Sequence, residues 1–231
     1  MKILYSITFF ITLLVSPLAI KAQSDCNPYF MFKEGKKWTT ANYNAKDKYQ
    51  GKQSFEILSL SEAEGKLTAN VKLTSYDKKD EEVFEKEVEF ICEDGVMQLD
   101  MSQYLPEDVL ESMKSMQMEI EYEHIQIPKE LKVGQNLEEG AVNMTITSPI
   151  RMAFKFRMTD RKVEAREDVK VPAGTYNAFK ISSVLQIDMM GSTRQFKSVE
   201  WIAEDVGAIR SESYDKKGNL TSYTVLTEYL E

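Results

Sequence analysis

Apolar and polar residues alternate with a period of two along most of this chain. The clearest run extends from Leu67 to Ser75, where apolar or small residues are separated by Thr68, Asn70, Lys72 and Thr74. Such alternation is typical of a β-strand with one buried face. Similar runs follow one another from residue 36 to the end of the chain, joined by short turns rich in Gly, Asn and Asp. The pattern predicts an antiparallel meander of about twelve strands.

One segment departs from this alternation. Between residues 105 and 116 apolar side chains recur at spacings of three and four, and Pro106 precedes two acidic residues. Proline and acidic residues are favoured in the first turn of a helix. The sequence therefore predicts one helix, 106–116, on the concave side of the sheet. The expected fold class is all-β: a strongly curved antiparallel sheet or incomplete barrel with one covering helix. A closed lipocalin-like barrel and a two-sheet sandwich are the alternatives.

The C-terminal third carries three recognisable segments. They are V-P-A-G-T-Y-N-A-F-K from Val171, W-I-A-E-D-V-G-A-I-R-S-E from Trp201 and Y-T-V-L-T-E-Y from Tyr223. This stretch resembles an uncharacterised family of exported bacterial β-proteins, the TapB-like members of a domain-of-unknown-function group. The resemblance implies a β-rich exported protein, and it transfers no catalytic or binding residue to this chain.

The N-terminus has the features of a secretory signal peptide. Lys2 supplies a positive charge, residues 3–20 are largely apolar, and Ala22 is a small residue before a cleavage site at Gln23. An uncleaved membrane anchor is the alternative, because the apolar run approaches the roughly 18–20 residues that span a bilayer. Pro17 and Ala22 favour cleavage.

Cleavage would leave residues 23–231, which we expect to form a single β-rich domain. The segment 1–22 is then the signal peptide, and no membrane span remains after its removal. Lipoprotein processing is not expected, because Gln23, Ser24 and Asp25 precede Cys26 in place of small residues. The predicted location is outside the cytoplasm, either periplasmic or extracellular.

The charge balance restricts the partners. Removal of residues 1–22 takes away two lysines and leaves 27 basic against 37 acidic residues. Nucleic acid and anionic membrane surfaces are poor partners for so acidic a protein. We therefore expect no nucleic-acid partner.

Two cysteines, Cys26 and Cys92, remain in the chain after cleavage. Exported proteins fold in an oxidising compartment, and an even number of cysteines favours pairing. A disulfide between Cys26 and Cys92 is predicted, which would tie the N-terminal segment to the fourth strand. Buried free thiols are the alternative.

No catalytic or metal-binding signature is present in the sequence. His124 is the only histidine, so any Ser-His-Asp or Cys-His arrangement would depend on it alone. With both cysteines paired, a metal site would have to be built from carboxylates, and the acidic cluster at 77–82 lacks the spacing of a calcium loop. The sequence predicts a protein that is not an enzyme and that needs no metal or other cofactor.

Methionine is concentrated in the middle of the chain. Eight of the eleven methionines that follow residue 22 lie between Met97 and Met158. Methionine is flexible and polarizable, so it suits irregular cores and also surfaces that accept apolar ligands of varied shape. Core filling is the more ordinary explanation, and a cavity for an apolar ligand is the alternative. The candidate ligand-binding residues are Met113, Met116, Met118, Met152, Phe154 and Met158.

Two classes of function are consistent with these features. The first is a non-catalytic exported envelope protein that binds a lipid or other apolar small molecule between the curved sheet and the Met-rich helix. The alternative is a structural or protein-interaction module of the cell envelope, with a filled core and an envelope protein as its partner. Half-barrel carriers of lipids and lipoproteins offer an analogy of fold, and such an analogy does not establish function.

Overall fold

The computed structural model describes residues 26–30, 32–99, 117–148, 152–189 and 191–230. These residues contain thirteen β-strands that belong to one sheet, and every pair of neighbouring strands is antiparallel. In chain order the strands are β1 (Lys37–Asn44), β2 (Tyr49–Ala63), β3 (Lys66–Tyr76), β4 (Glu82–Glu93), β5 (Val96–Leu99), β6 (Gln117–Glu123), β7 (Ile125–Ile127), β8 (Gly140–Ser148), β9 (Met152–Val171), β10 (Gly174–Met189), β11 (Ser192–Ala203), β12 (Gly207–Tyr214) and β13 (Leu220–Leu230).

The order of the strands brings the two edges of the sheet together. Across the sheet the order is β6-β8-β9-β10-β11-β12-β13-β1-β2-β3-β4-β5-β7. The edge strands β6 and β7 are consecutive in the chain and are separated only by His124. One segment, 117–127, therefore pairs with β8 through its first part and with β5 through its last part. The sheet is a nearly closed barrel, which confirms the all-β, strongly curved antiparallel prediction and excludes a sandwich for the described strands.

Tight turns join most sequence neighbours. The turn between β4 and β5 consists of Asp94 and Gly95, which have φ values of 50° and 80°. A two-residue hairpin of this kind needs positive φ at both positions, and Asp-Gly is a favoured pair for it. The predicted helix 106–116 lies outside the described residues. Among the residues that are described, no helix has the length and apolar character needed to cross a bilayer.

An N-terminal segment, which we call the plug (residues 26–30 and 32), lies inside the barrel. Its Tyr29 ring contacts Phe179 of β10 at 5.9 Å between centroids, and its Phe30 ring contacts Phe90 of β4 at 4.9 Å. Strands β10 and β4 are seven places apart in the sheet, so the plug bridges opposite walls. The side-chain amide of Asn27 donates hydrogen bonds to two backbone carbonyls, each at 2.9 Å, which fixes the plug at one end of the barrel.

The predicted disulfide is present between Cys26 and Cys92. It joins the plug to β4 across 66 residues of sequence. The alternative of free thiols is therefore wrong. The covalent link holds the plug against the wall that also provides Phe90.

Ile202 of β11 belongs to the same apolar cluster as the aromatic residues of the plug. A second apolar cluster lies on the other face of this strand. It contains Trp201 and Ala203 of β11 together with Ile209, Val225 and Leu226 of the next two strands. The tip of the β9–β10 hairpin covers this face, since the backbone N–H of Ala173 donates to the carbonyl oxygen of Leu226 at 3.3 Å. This cluster, which we call the Trp201 cluster, is filled by side chains.

Candidate functional site

The interior of the barrel contains an aromatic cavity of about 350 Å³ beside the plug. Five aromatic residues line it: Tyr29, Phe30, Trp38, Phe55 and Phe90. The rings of Trp38 and Phe55 are stacked at 4.9 Å with an angle of 3° between their planes. Trp38 and Phe55 are also partners across β1 and β2, so the pairing of these strands fixes the stack.

Polar side chains line the other part of the aromatic cavity. Thr40, Gln53, Ser211 and Thr224 contribute hydroxyl and amide groups, and Glu200 contributes a carboxylate. Among the described residues that line this cavity, Glu200 is the only charged one. The cavity therefore has an aromatic part near the plug and a hydrogen-bonding part that carries one acidic group.

A smaller cavity of about 190 Å³, which we call the serine cavity, lies on the other side of Glu200. Both cavities have Glu200 and Ser211 in their walls. The residues that line the serine cavity are Ile125, Met158, Arg161, Ile181, Ser183, Leu185, Phe196, Lys197, Ser198, Glu200, Ser211 and Ser213. Its hydroxyl groups come from three neighbouring strands, β10, β11 and β12, because their inward positions are serines in register.

Glu200 is half-buried, and desolvation raises the pKa of its carboxyl because the charged form loses solvation. The positive charge of Arg161 acts in the opposite direction and lowers the pKa without reversing the net shift. The accessible part of the residue faces the two cavities. Within the described part of the chain, no hydrogen bond or ion pair is formed by its carboxylate. The carboxylate oxygens are therefore open to a molecule in either cavity.

Arg161 is buried, with 4% of its surface exposed. Its Nη1 donates to the carbonyl oxygen of Gln126 at 3.0 Å and also to that of Glu138. These bonds fasten β7 and the loop before β8 to β9. The guanidinium is therefore engaged with the backbone, although its charge still acts on Glu200.

A larger depression of about 810 Å³ lies alongside β9, β10 and β11. Exposed side chains of both signs line it, among them Asp160, Lys162, Glu164 and Lys197. Because its charges are mixed and solvated, this depression offers less basis for selecting a ligand than the enclosed interior does.

The predicted Met-rich site is only partly described. Met113 and Met116 lie outside the described residues. Met118 of β6 and Met152 of β9 are brought to the same region by the backbone, since both pair with Ile146 of β8. Phe154 packs against an apolar cluster around Met144, and Met158 of that cluster also lines the serine cavity. Ligand binding by the six predicted residues stays a prediction.

The aromatic cavity was missed by the sequence reasoning. The sequence did contain a signal that Glu200 faces the interior. Residues 198, 200 and 202 alternate with Trp201, so Glu200 lies on the same strand face as Ser198 and Ile202. No comparable signal identifies Tyr29 and Phe30, which precede the first alternating run. Among the described residues, no group of three or more His, Cys, Asp or Glu side chains is arranged to hold a metal ion.

Fold and cavity together define a nearly closed β-barrel with a plugged and partly hollow interior. The sequence model of the DUF3108-like family matches residues 33–226, and the chain belongs to that family. The resemblance to an uncharacterised exported family is thereby confirmed.

Two crystal structures share the fold. A Bacteroides fragilis protein, described as an exported protein with a YmcC-like fold, aligns with a TM-score of 0.69 and 20% identity over 86% of this chain and 97% of its own. A Parabacteroides distasonis protein, described as a lipoprotein, aligns with a TM-score of 0.72 and 23% identity over 89% of this chain and 100% of its own. No curated protein matches the chain.

Proposed function

We propose that this protein is exported to the cell envelope and binds an apolar small molecule or lipid inside its barrel without transforming it. The observation that carries the proposal is the aromatic cavity of about 350 Å³. Ligand sites in proteins are typically concave, largely apolar, and between about 300 and 1,000 Å³ in volume. A cavity of this size has room for about twelve water-sized groups, at about 30 Å³ each.

Export is supported by three features. The chain begins with a signal-like segment, a disulfide joins Cys26 to Cys92, and the structures of similar fold are described as an exported protein and a lipoprotein. Disulfides persist in oxidising compartments. The sulfur of Cys26 is already bonded to that of Cys92, which argues against attachment of a lipid to this cysteine.

Binding without catalysis is supported by the chemistry of the walls. Among the described residues of the two interior cavities, the serines have no histidine beside them and the acidic group has no acidic partner. A hydrolytic mechanism needs a nucleophile paired with a base, or two cooperating acids. The walls instead combine rings and hydroxyl groups, which suit retention of a ligand.

The proposal is tested with decanol, an uncharged amphiphile whose size suits the aromatic cavity. Calorimetric titration of the purified, delipidated protein should show saturable binding. Ser211→Phe should abolish that binding, because the new ring would occupy the space that both cavities share. Ser192→Phe is the matched control, since Ser192 is exposed at the start of β11 and should leave binding unchanged.

Circular dichroism and urea melts would establish that both variants remain folded. Absence of saturable binding by the folded wild type, across several chain lengths, would overturn the binding proposal. That result would favour the structural or protein-interaction module, whose partner would be another envelope protein.

A further inference from the structure

The aromatic cavity contains two features that favour the same kind of ligand group. Rings surround one part of it, and a single carboxylate lies at the other, where Glu200 joins the aromatic cavity to the serine cavity. The faces of aromatic rings carry partial negative charge and attract cations. A carboxylate attracts the same group more strongly, and its attraction is enhanced where water is excluded.

The carboxylate of Glu200 has unused capacity for hydrogen bonds. It can accept several bonds when it is ionised, yet none reaches it within the described part of the chain. Glu200 is half-buried and faces the two cavities, and its partial desolvation disfavours the ionised form and raises the pKa of its carboxyl. A ligand that donates hydrogen bonds and carries a positive charge would remove this penalty.

Arg161 does not supply the missing partner. It lines the serine cavity and not the aromatic cavity, and its Nη1 donates to the backbone carbonyls of Gln126 and Glu138. The other charged residue in the serine cavity wall, Lys197, is exposed. Among the described residues that line the aromatic cavity, the only charged side chain is therefore the acidic Glu200.

We infer that the aromatic cavity selects amphiphilic organic cations, an inference that rests on the proposed binding function. The ammonium group of the ligand would lie at Glu200, and its apolar body would lie among Trp38, Phe55 and Phe90. Hydroxyl groups of Ser211 and Thr224 are placed on the same polar part of the wall. Fatty acids are disfavoured, since their carboxylate would meet that of Glu200 in a site of low dielectric.

The inference is tested with decylamine, decanol and decanoate, which share an apolar chain and differ in the head group. Titrations near neutral pH keep the amine protonated, as a lysine side chain would be. The wild type should bind decylamine about 30-fold more tightly than decanol, as expected for a buried and hydrogen-bonded charge pair. Decanoate should bind most weakly.

Glu200→Gln should lower the affinity for decylamine by about 30-fold and leave the affinity for decanol nearly unchanged. Glu200→Asp keeps the charge and should retain the preference for the amine. The control is Glu89→Gln, which makes the same chemical change at an exposed position of β4. The amine-to-alcohol ratio is the deciding quantity, because a general loss of structure would weaken both ligands together.

The outcomes separate this inference from the proposed function. Equal affinity of the wild type for the alcohol and the amine, or a preference that survives Glu200→Gln, would overturn selection by Glu200 while leaving the binding function intact. Failure of all three ligands to bind would overturn both.

Discussion

The two faces of β11 differ in how their side chains are accommodated. On one face Trp201 and Ala203 are buried in a filled cluster, and the indole Nε1 of Trp201 donates to Glu167 at 2.7 Å. On the other face Ile202 and Glu200 line a cavity, and the carboxylate of Glu200 has no comparable partner within the described residues. The same strand therefore separates a packed region from a hollow one.

This difference distinguishes stabilisation from binding. Close packing around Trp201 removes apolar surface from water and satisfies the one polar atom of the indole, so this side stabilises the fold. The hollow side leaves rings and a carboxylate without full contact, which lowers stability and leaves room for a ligand. Unpaired buried groups with shifted pKa values are concentrated at functional sites, so the hollow face is the candidate for function.

The largest expected effect on stability comes from truncating a side chain in the filled Trp201 cluster. Trp201 is 7% exposed, so Trp201→Ala should lower the free energy of unfolding by about 3–5 kcal/mol. Trp38→Ala is the matched change on the hollow side and should cost less, about 2 kcal/mol, because part of this ring already faces open space. Urea melts of both variants measure the difference. Equal losses would mean that the aromatic cavity is packed as tightly as the Trp201 cluster.

Removal of the disulfide should have the next largest effect. The double substitution Cys26→Ser and Cys92→Ser should lower the free energy of unfolding by about 2–4 kcal/mol, because the open chain gains conformational entropy. It should also weaken ligand binding, since the released plug carries Tyr29 and Phe30 of the cavity wall.

Calorimetry with decanol and urea melts would check both effects of the double substitution. The Trp201 cluster provides an internal control, because none of the plug residues belongs to it. Since Trp38 contacts Phe30 of the plug, fluorescence is compared in a Trp38→Phe background, where the emission of Trp201 should stay native. Unchanged binding after loss of the disulfide would show that the plug remains in place without the covalent link.

The strands were predictable because each has its own local pattern. In β3, the buried residues Leu67, Ala69, Val71 and Leu73 occupy alternate positions, as the sequence indicates. The continuity of β9 was not predictable, because the apolar alternation from Met152 to Met158 gives way to a charged stretch. It remains one strand of 20 residues because irregularities in its register with β10 absorb the extra residues.

The plug and the cavity depend on contacts between distant parts of the chain. Tyr29 and Phe30 show no periodicity, and their burial follows from Phe179 and Phe90, which lie far away in the sequence. The cavity is likewise a property of the assembled barrel, so the pattern of a single strand does not predict it. The sequence reasoning therefore assigned ligand binding to the Met-rich segment, where the described residues Met144 and Phe154 pack against other side chains.

The smallest expected effect concerns the pH dependence of stability at Glu200. Because the pKa of the folded state is raised above the unfolded value of about 4.3, the wild type loses stability as the pH rises from that value through the pKa of the folded state. Glu200→Gln has no titrating group there, so at neutral pH it should be more stable than the wild type by roughly 1 kcal/mol. Below the unfolded pKa both side chains are neutral and the difference should vanish.

Urea midpoints of the two proteins at several pH values measure this difference, and Glu89→Gln controls for the change in net charge. A wild type that instead gains stability relative to Glu200→Gln as the pH rises would show that the ionised carboxylate has a strong partner, and that Arg161 outweighs the effect of burial.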